Sequence, residues 1–310
     1  MPKCTEQDPE ISAHLSSNPL PSTPMSRRSF LRVGGAVLGA GALGVLGTSL
    51  YEPHEIPISQ VTVQLKRLPA AFDGLRIAQL SDIHFNSFMT SSHLERIVEL
   101  TNAEKADLVL LSGDFVTVEL AAGSRRKLAE YAWPCADILR KLKSPLGSFA
   151  VLGNHDYETN ADVVAEALTS GSQIHLLRNQ SHPLEKDGAR LWFAGIDNVT
   201  MGRARPTETL HRIPKHECTL VAVHEPDIAD ELQRFPVDFQ MSGHSHGGQI
   251  RFPGVGALYL PRWAHKYPKG HYQIGNLQLY TNRGIGVIGL PMRFMCPPEI
   301  TIYTLKAHLA

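Results

Sequence analysis

Five short clusters of carboxylate, imidazole and carboxamide side chains punctuate the chain between Asp82 and His246, most of them closing an apolar run. They are Asp82-Ile83-His84 after LRIAQLS, Gly113-Asp114 after DLVLLS, and Gly153-Asn154-His155-Asp156 after GSFAVL. His224 then follows CTLVAV, and Gly243-His244-Ser245-His246 follows VDFQMS. These groups are borderline-to-hard ligands that suit zinc, iron or manganese, and the ligand types do not choose among such metals. A pair of divalent ions activates water and clamps a phosphoryl group, so the pattern points to a dinuclear hydrolase.

The spacing carries its own expectations. In an extended backbone side chains alternate, so the D-x-H step places Asp82 and His84 on one side, and His244 and His246 share a side in the same way. Asp114 is expected to join the two ions, because a carboxylate has two oxygens where an imidazole offers one lone pair. Gly113, Gly153 and Gly243 allow tight turns and close approach of backbone to the ions. A lone strand histidine or turn aspartate is usually structural. Polar clusters such as G-N-H-D and G-H-S-H, set where a strand closes its core, are not, and their order along the chain strengthens them.

Short apolar runs separated by helical patterns must hold these clusters. VTVQL (61–65), LRIAQL (75–80), DLVLL (107–111) and SFAVL (148–152) read as strands, followed by IHLL (174–177), LWFAGI (191–196), TLVAVH (219–224) and VDFQM (237–241). Leu94–Asn102, Lys127–Leu142 and Ala161–Leu168 read as amphipathic helices, and Asp227–Arg234 as a short helix capped by Asp227. Beyond Met241 the pattern is mostly strand and turn, ending in ITIYTL (300–305). Strands alternating with helices give an α/β class. Leu258, Tyr259, Leu260 and Trp263 read as core, with an acyl-chain surface as the alternative. His93, His175, His182 and His211 stand outside any cluster, and His265 and His271 flank a loop that either touches substrate or only connects strands.

The chain has 310 residues, 43% of them hydrophobic and 19% charged, with 30 basic and 30 acidic residues. That suits one sizeable domain with an N-terminal extension, and balanced charge gives no ground for a nucleic-acid partner. Cys4, Cys135, Cys218 and Cys296 form no C-x-x-C pair, which rules out a local zinc knuckle and gives no disulfide framework, a single long-range disulfide being left open. Residues 1–25 are polar and rich in Pro and Ser and read as a disordered tail. Ser26-Arg27-Arg28-Ser29-Phe30-Leu31-Arg32 precedes the weakly apolar Val33–Leu50, a pattern that looks like a twin-arginine export signal. Residues 26–50 are therefore either cleaved or retained as a membrane anchor, and 51–310 are the catalytic domain. Delivery by the twin-arginine machinery implies a periplasmic, wall or outer-face location.

The ordered set D-x-H, G-D, G-N-H-D, H and G-H-x-H resembles the calcineurin-like metallophosphoesterase superfamily. The likeness runs from about residue 56 to 306. His224-Glu225-Pro226-Asp227, GHSHGGQIRFPG (243–254) and TNRGIGVIGLPMRFMCPPEITIYTL (281–305) look like its branch of exported or membrane-associated phosphodiesterases. The resemblance implies a four-layer αββα sandwich of two mixed sheets flanked by helices. It implies one metal on Asp82, His84, Asp114 and His246, and a second on Asp114, Asn154, His224 and His244. A hydroxide between the ions would attack a phosphodiester or phospholipid-like substrate, with His155 as proton donor and Asp156 orienting its imidazole. The branch includes proteins similar to enzymes that hydrolyse UDP-2,3-diacylglucosamine in lipid A synthesis, which is the alternative activity. A non-catalytic metal-binding scaffold is the remote one, since no ligand position is lost.

Overall fold

The computed structural model describes residues 35, 44, 46–86, 88–117, 128–171 and 173–308. The tail 1–25, the Ser26–Arg32 motif and Cys4 lie outside the described residues, as does most of Val33–Val45. Among the described residues no helix is long and apolar enough to cross a membrane.

The apolar runs become two six-stranded sheets. The first contains β1 (Ile58–Leu65), β2 (Arg76–Leu80), β3 (Leu108–Leu111), β4 (Ser148–Ala150), β5 (Ile174–Leu176) and β14 (Ile300–Ala307). Its order is β1-β14-β2-β3-β4-β5, parallel throughout except where β14 pairs antiparallel with β2. The second contains β6 (Gln180–Lys186), β7 (Ala189–Gly195), β8 (Cys218–Ala222), β9 (Phe239–Ser242), β12 (Gly270–Ile274) and β13 (Leu277–Thr281). Its order is β12-β13-β9-β8-β7-β6, with antiparallel strands at both edges. A small hairpin, β10 (Arg251–Phe252) with β11 (Gly256–Ala257), stands apart.

Side-chain alternation builds the layers. Ile77, Leu108, Leu110 and Phe149 face Leu220, Phe239 and Met241 in a core between the sheets. The alternate residues Ala78, Leu80, Val109 and Leu111 pack against α1 (Ser91–Ala103), α2 (Ala132–Leu139) and α4 (Ala161–Thr169). The outer face of the second sheet, with Val221 and Leu279, is covered by α5 (Pro206–Leu210) and α6 (Ala229–Leu232). Each layer buries what its neighbour cannot shield alone, and the result is the four-layer αββα sandwich with two mixed sheets.

Several elements differ from the sequence reading. The helix expected from Lys127 forms over Ala132–Leu139, with Lys127 outside the described residues. Pro134 is tolerated there only because it sits in the first turn. The strand β6 was invisible because it is a polar edge strand containing Pro183. The helix α3 (Asn154–Thr159) was hidden inside the G-N-H-D cluster. Asp227 caps no helix. It lies in a 3-10 turn, Pro226–Ile228, and its carboxylate accepts from the main-chain N–H groups of His265, Lys266 and Tyr267.

One compact unit spans residues 45–310. Its first residues dock on the C-terminal segment: Arg293 N–H donates to the Ser49 carbonyl at 2.9 Å, and Cys296 N–H to the Glu52 carboxylate at 2.9 Å.

Candidate metal centre

The parallel strands β2, β3, β4, β8 and β9 all end toward the same edge of the sandwich, and each is followed by one of the five clusters. Gln79, fully buried, ties the two sheets together just below that edge. Its amide donates to Ser112 Oγ at 2.7 Å and to the Ser242 carbonyl at 3.0 Å, while Tyr303 donates to its oxygen.

The ligand residues do not converge by extended geometry as their spacing suggested. Asp82, His84, Asp114, His244 and His246 all have positive φ, between 48° and 70°. Left-handed turns, not strand alternation, bring each pair to one side. Such conformations cost on the order of 1–3 kcal/mol each and persist only where the surroundings impose them. Here Asp82 N–H donates to the Gly113 carbonyl, His84 N–H to the Asp114 carbonyl, and Gly286 N–H to the Asp82 carbonyl. Glycine is required at the closest approaches: a Cβ on Gly284, which has φ +73°, would lie 2.7 Å from Asp82 Cβ.

Among the described residues three groups of ligating atoms result: two separate ones, Asp82 with His84 and His246 and Asp114 with His224 and His244, and a third, His84 with Asp114 and His155, that overlaps both. His84 Nε2 and His246 Nε2 are 2.9 Å apart, and His246 Nε2 is 3.4 Å from Asp82 Oδ1. Asp114 Oδ2 lies 3.6 Å from His84 Nε2 and 3.2 Å from His224 Nε2, between the two groups. Asn154 opens α3 at the same place, and its buried Oδ1 accepts no hydrogen bond.

The neighbours fix which nitrogens are free. A carbonyl only accepts, so His224 Nδ1 donates to Ser112 O at 2.7 Å and His244 Nε2 to Arg262 O at 2.8 Å. That leaves His224 Nε2 and His244 Nδ1 with lone pairs. Buried lone pairs with no donor to meet them are costly unless a cation completes the site. Carboxylate, imidazole and amide oxygen donors with oriented tautomers fit divalent metal ions.

Burial and neighbouring charge shift the groups of the cluster strongly. Burial pushes His84 well below the usual imidazole range, and burial followed by the Arg293 charge does the same to His246. Burial works to raise the Asp114 carboxyl, but the imidazoles of His224, His155 and His84 outweigh it and hold it well below the usual range. For His224, burial works downward and Asp114 more than reverses it.

His155 sits at the rim with its side chain 15% exposed. Its main-chain N–H donates to Asp114 Oδ1 at 2.9 Å, and its ring meets that of His84 edge-on. Asp156 does not orient this imidazole. Its carboxylate is turned inward, where it accepts from the N–H groups of Asp114, Phe115, Val116 and Gly153 at 2.8–3.3 Å. Burial, then the charge of Asp114, pushes it up to about 7. Asp156 is thus the peg that joins the β3 and β4 loops. The carboxylate facing His155 is Glu158, 3.6 Å from Nδ1 and one helical turn on.

The sequence reading also missed Arg293, which is fully buried. Its guanidinium donates to the carbonyls of Arg283, Gly284, Gly286 and Cys296 at 2.6–3.2 Å, holding the loop that backs Asp82. The signal was present: Arg293 is the single charge between Gly284 and Pro298. Glu225, also buried, accepts from the N–H groups of Val199 and Thr200 beside His224.

A cleft of about 380 Å³ opens on the cluster. Asp114, Asn154, His155, Glu158, His244 and His246 line one side, and Ile250, Leu258, Tyr259, Pro261 and Ile288 the other. Leu258 and Tyr259 are therefore cleft wall, not core, and are 60% and 73% exposed. His265 and His271 do not line it. A larger cavity, about 700 Å³ between Arg67, Asp238 and Gln278, lies away from the cluster and carries none of its ligating residues.

Candidate metal ligands at strand ends, a central carboxylate and an adjacent open cleft suit a metal-dependent phosphoester hydrolase. The model of the calcineurin-like phosphoesterase family matches residues 75–248, which include all five clusters, and the chain belongs to that family. It is 35% identical to the uncharacterized metallophosphoesterase YkuE of Bacillus subtilis over 91% of this chain and 98% of that one. It is 29% identical to the phosphodiesterase YaeI of Escherichia coli over 91% and 99%. A transmembrane protein with metallophosphoesterase domain from Bos taurus is 28% identical over 97% of this chain and 68% of its own length.

Proposed function

We propose that the chain is a dinuclear-metal phosphodiesterase that works outside the cytoplasm or at the membrane surface. The observation that carries the dinuclear reading is the place of Asp114 Oδ2, between His84 and His224. Asp82, His84, Asp114 and His246 would hold one ion, and Asp114, Asn154, His224 and His244 the other. Ions held there supply a nucleophilic water near neutral pH and offset phosphoryl charge. His155, at the cleft rim, donates a proton to the departing alkoxide, and Glu158 is placed to turn its imidazole. Diester chemistry is supported by the likeness to YaeI, and work outside the cytoplasm by the Arg27-Arg28 signal pattern.

A second reading, hydrolysis of a UDP-diacylglucosamine, draws on the apolar wall of Ile250, Leu258 and Tyr259. Assaying a lipid nucleotide beside an aryl diester separates the two.

The test is metal content of the purified protein with hydrolysis of bis-p-nitrophenyl phosphate before and after chelation. Near two metals per chain with chelator-sensitive turnover is expected. Asp114→Ala should lose both metals, whereas His155→Ala should keep them and slow turnover by about 10²–10⁴-fold. No metal after manganese repletion, or His155→Ala emptying the site, would overturn this division of roles.

A further inference from the structure

The six residues of α3 include Asn154, His155 and Glu158, all of which line the cleft. A helix this short does not hold itself together in water, so its neighbours must fix it. Two consecutive residues do this, and they point about 100° apart around the helix axis. Asp156 pegs α3 to the β3 loop of the first sheet through the N–H groups of Asp114, Phe115 and Val116. Tyr157 reaches another way, to the loops that follow β5 and β7.

The Tyr157 attachment is a closed ring of three side chains. Its hydroxyl donates to the Asp197 carboxylate, 2.7 Å from Oδ1 and 2.6 Å from Oδ2, and accepts from an Arg178 guanidinium N–H at 2.9 Å. Arg178 Nε donates to Asp197 Oδ2 at 3.3 Å, and its Cζ stands 5.5 Å from the Tyr157 ring centre. Burial, then the bond to Asp197, pushes the phenol up to about 12, so it remains a donor at neutral pH. Asp197 is buried, and its main-chain N–H and that of Arg205 donate to Asn179 Oδ1 at 3.1 and 2.9 Å, which joins the two loops into one seat.

The peg fixes where α3 lies, and the ring fixes its rotation. Asn154 depends on that rotation, because its buried Oδ1 accepts no hydrogen bond that would hold it. We propose that Tyr157, Asp197 and Arg178 are positioning residues for one ion of the pair, the ion that takes Asn154. Asp82, His84, Asp114 and His246 stand on the loops after β2, β3 and β9, so the other ion does not depend on the ring. The inference rests on the proposed dinuclear centre.

The metal-free full chain is titrated with manganese by calorimetry, as wild type and as Tyr157→Phe, which removes only the hydroxyl. Loss of a group that orients a metal ligand costs about 10–100-fold in affinity. One of two manganese steps should weaken by that factor while the other keeps its wild-type value. The manganese concentration for half-maximal diester hydrolysis should rise in parallel. Asp197→Asn should behave in the same way, and Tyr157→Phe decides alone if that variant does not fold. Asp238→Asn is the control for general loosening. It too strips the charge from a buried carboxylate paired with one arginine, Arg67, but at the start of β9, the end of the strand away from the site, and both steps should hold. Two unchanged steps in Tyr157→Phe would overturn the inference, as would both steps weakening together or an equal loss in Asp238→Asn. A single manganese step in the wild type would instead remove the dinuclear centre, and the inference with it.

Discussion

Replacing Gly284 by alanine gives the sharpest test of how the metal cluster is held. The residue has φ +73°, and its new Cβ would sit 2.7 Å from Asp82 Cβ and 3.2 Å from both Cγ and Oδ2. Ordinary contact begins near 3.4 Å, so Asp82 or the 283–286 loop must move by roughly 0.7 Å. Neither is free to do so: Arg293 and Glu299 hold the Gly284 carbonyl, and Asp82 accepts from Ser81 and from His244 N–H. The left-handed conformation costs a non-glycine residue about 1–2 kcal/mol, and overpacking adds about 1–3. A total of about 2–5 kcal/mol lowers Tm by roughly 5–15 °C in a domain of this size. Sites tolerate displacements of only about 0.5 Å, so manganese affinity or turnover should fall on the order of 10²-fold. Gly289→Ala is the control, because it has φ +69° with nothing within 4 Å and should cost only the conformational part, about 3–6 °C. Thermal unfolding and manganese titration of both variants decide the matter. Equal Tm and equal affinity in the two would refute the claim that Gly284 is set by Asp82.

Asp156→Ala leaves the buried N–H groups of Asp114, Phe115 and Gly153 without acceptors. At about 1–3 kcal/mol each, denaturant titration should show a loss of at least about 3 kcal/mol. Arg293→Met should destabilise by about 3–5 kcal/mol, and Arg293→Lys should recover only part of that, because three ammonium donors replace five. Equal denaturation midpoints for the Met and Lys variants would contradict the stapling role. Burial, with Asp156 and Asp238 respectively, pushes the thiols of Cys135 and Cys218 far up, so neither should react with a disulfide reagent at pH 8 until the protein unfolds.

The five clusters, their order and the strands in front of them are local facts. Each apolar run had to be buried and each polar cluster had to follow it, so Asp82, His84, Asp114, Asn154, His224, His244 and His246 were legible as a set, together with the α/β class. What the sequence did not determine was how those ends meet. Asp82 and His84 face together through left-handed turns imposed by hydrogen bonds to the carbonyls of residues 113 and 114 and from the N–H of 286, which lie in other strands' loops. Asp156 looked like a partner for His155 because it is adjacent in sequence, yet β3 offers it a nest of main-chain N–H groups that only the folded sheet assembles. Arg293 and the exposed setting of Leu258 and Tyr259 were equally hidden. Burial of a charge and exposure of a hydrophobe both run against residue type, and tertiary packing alone determines where such exceptions fall.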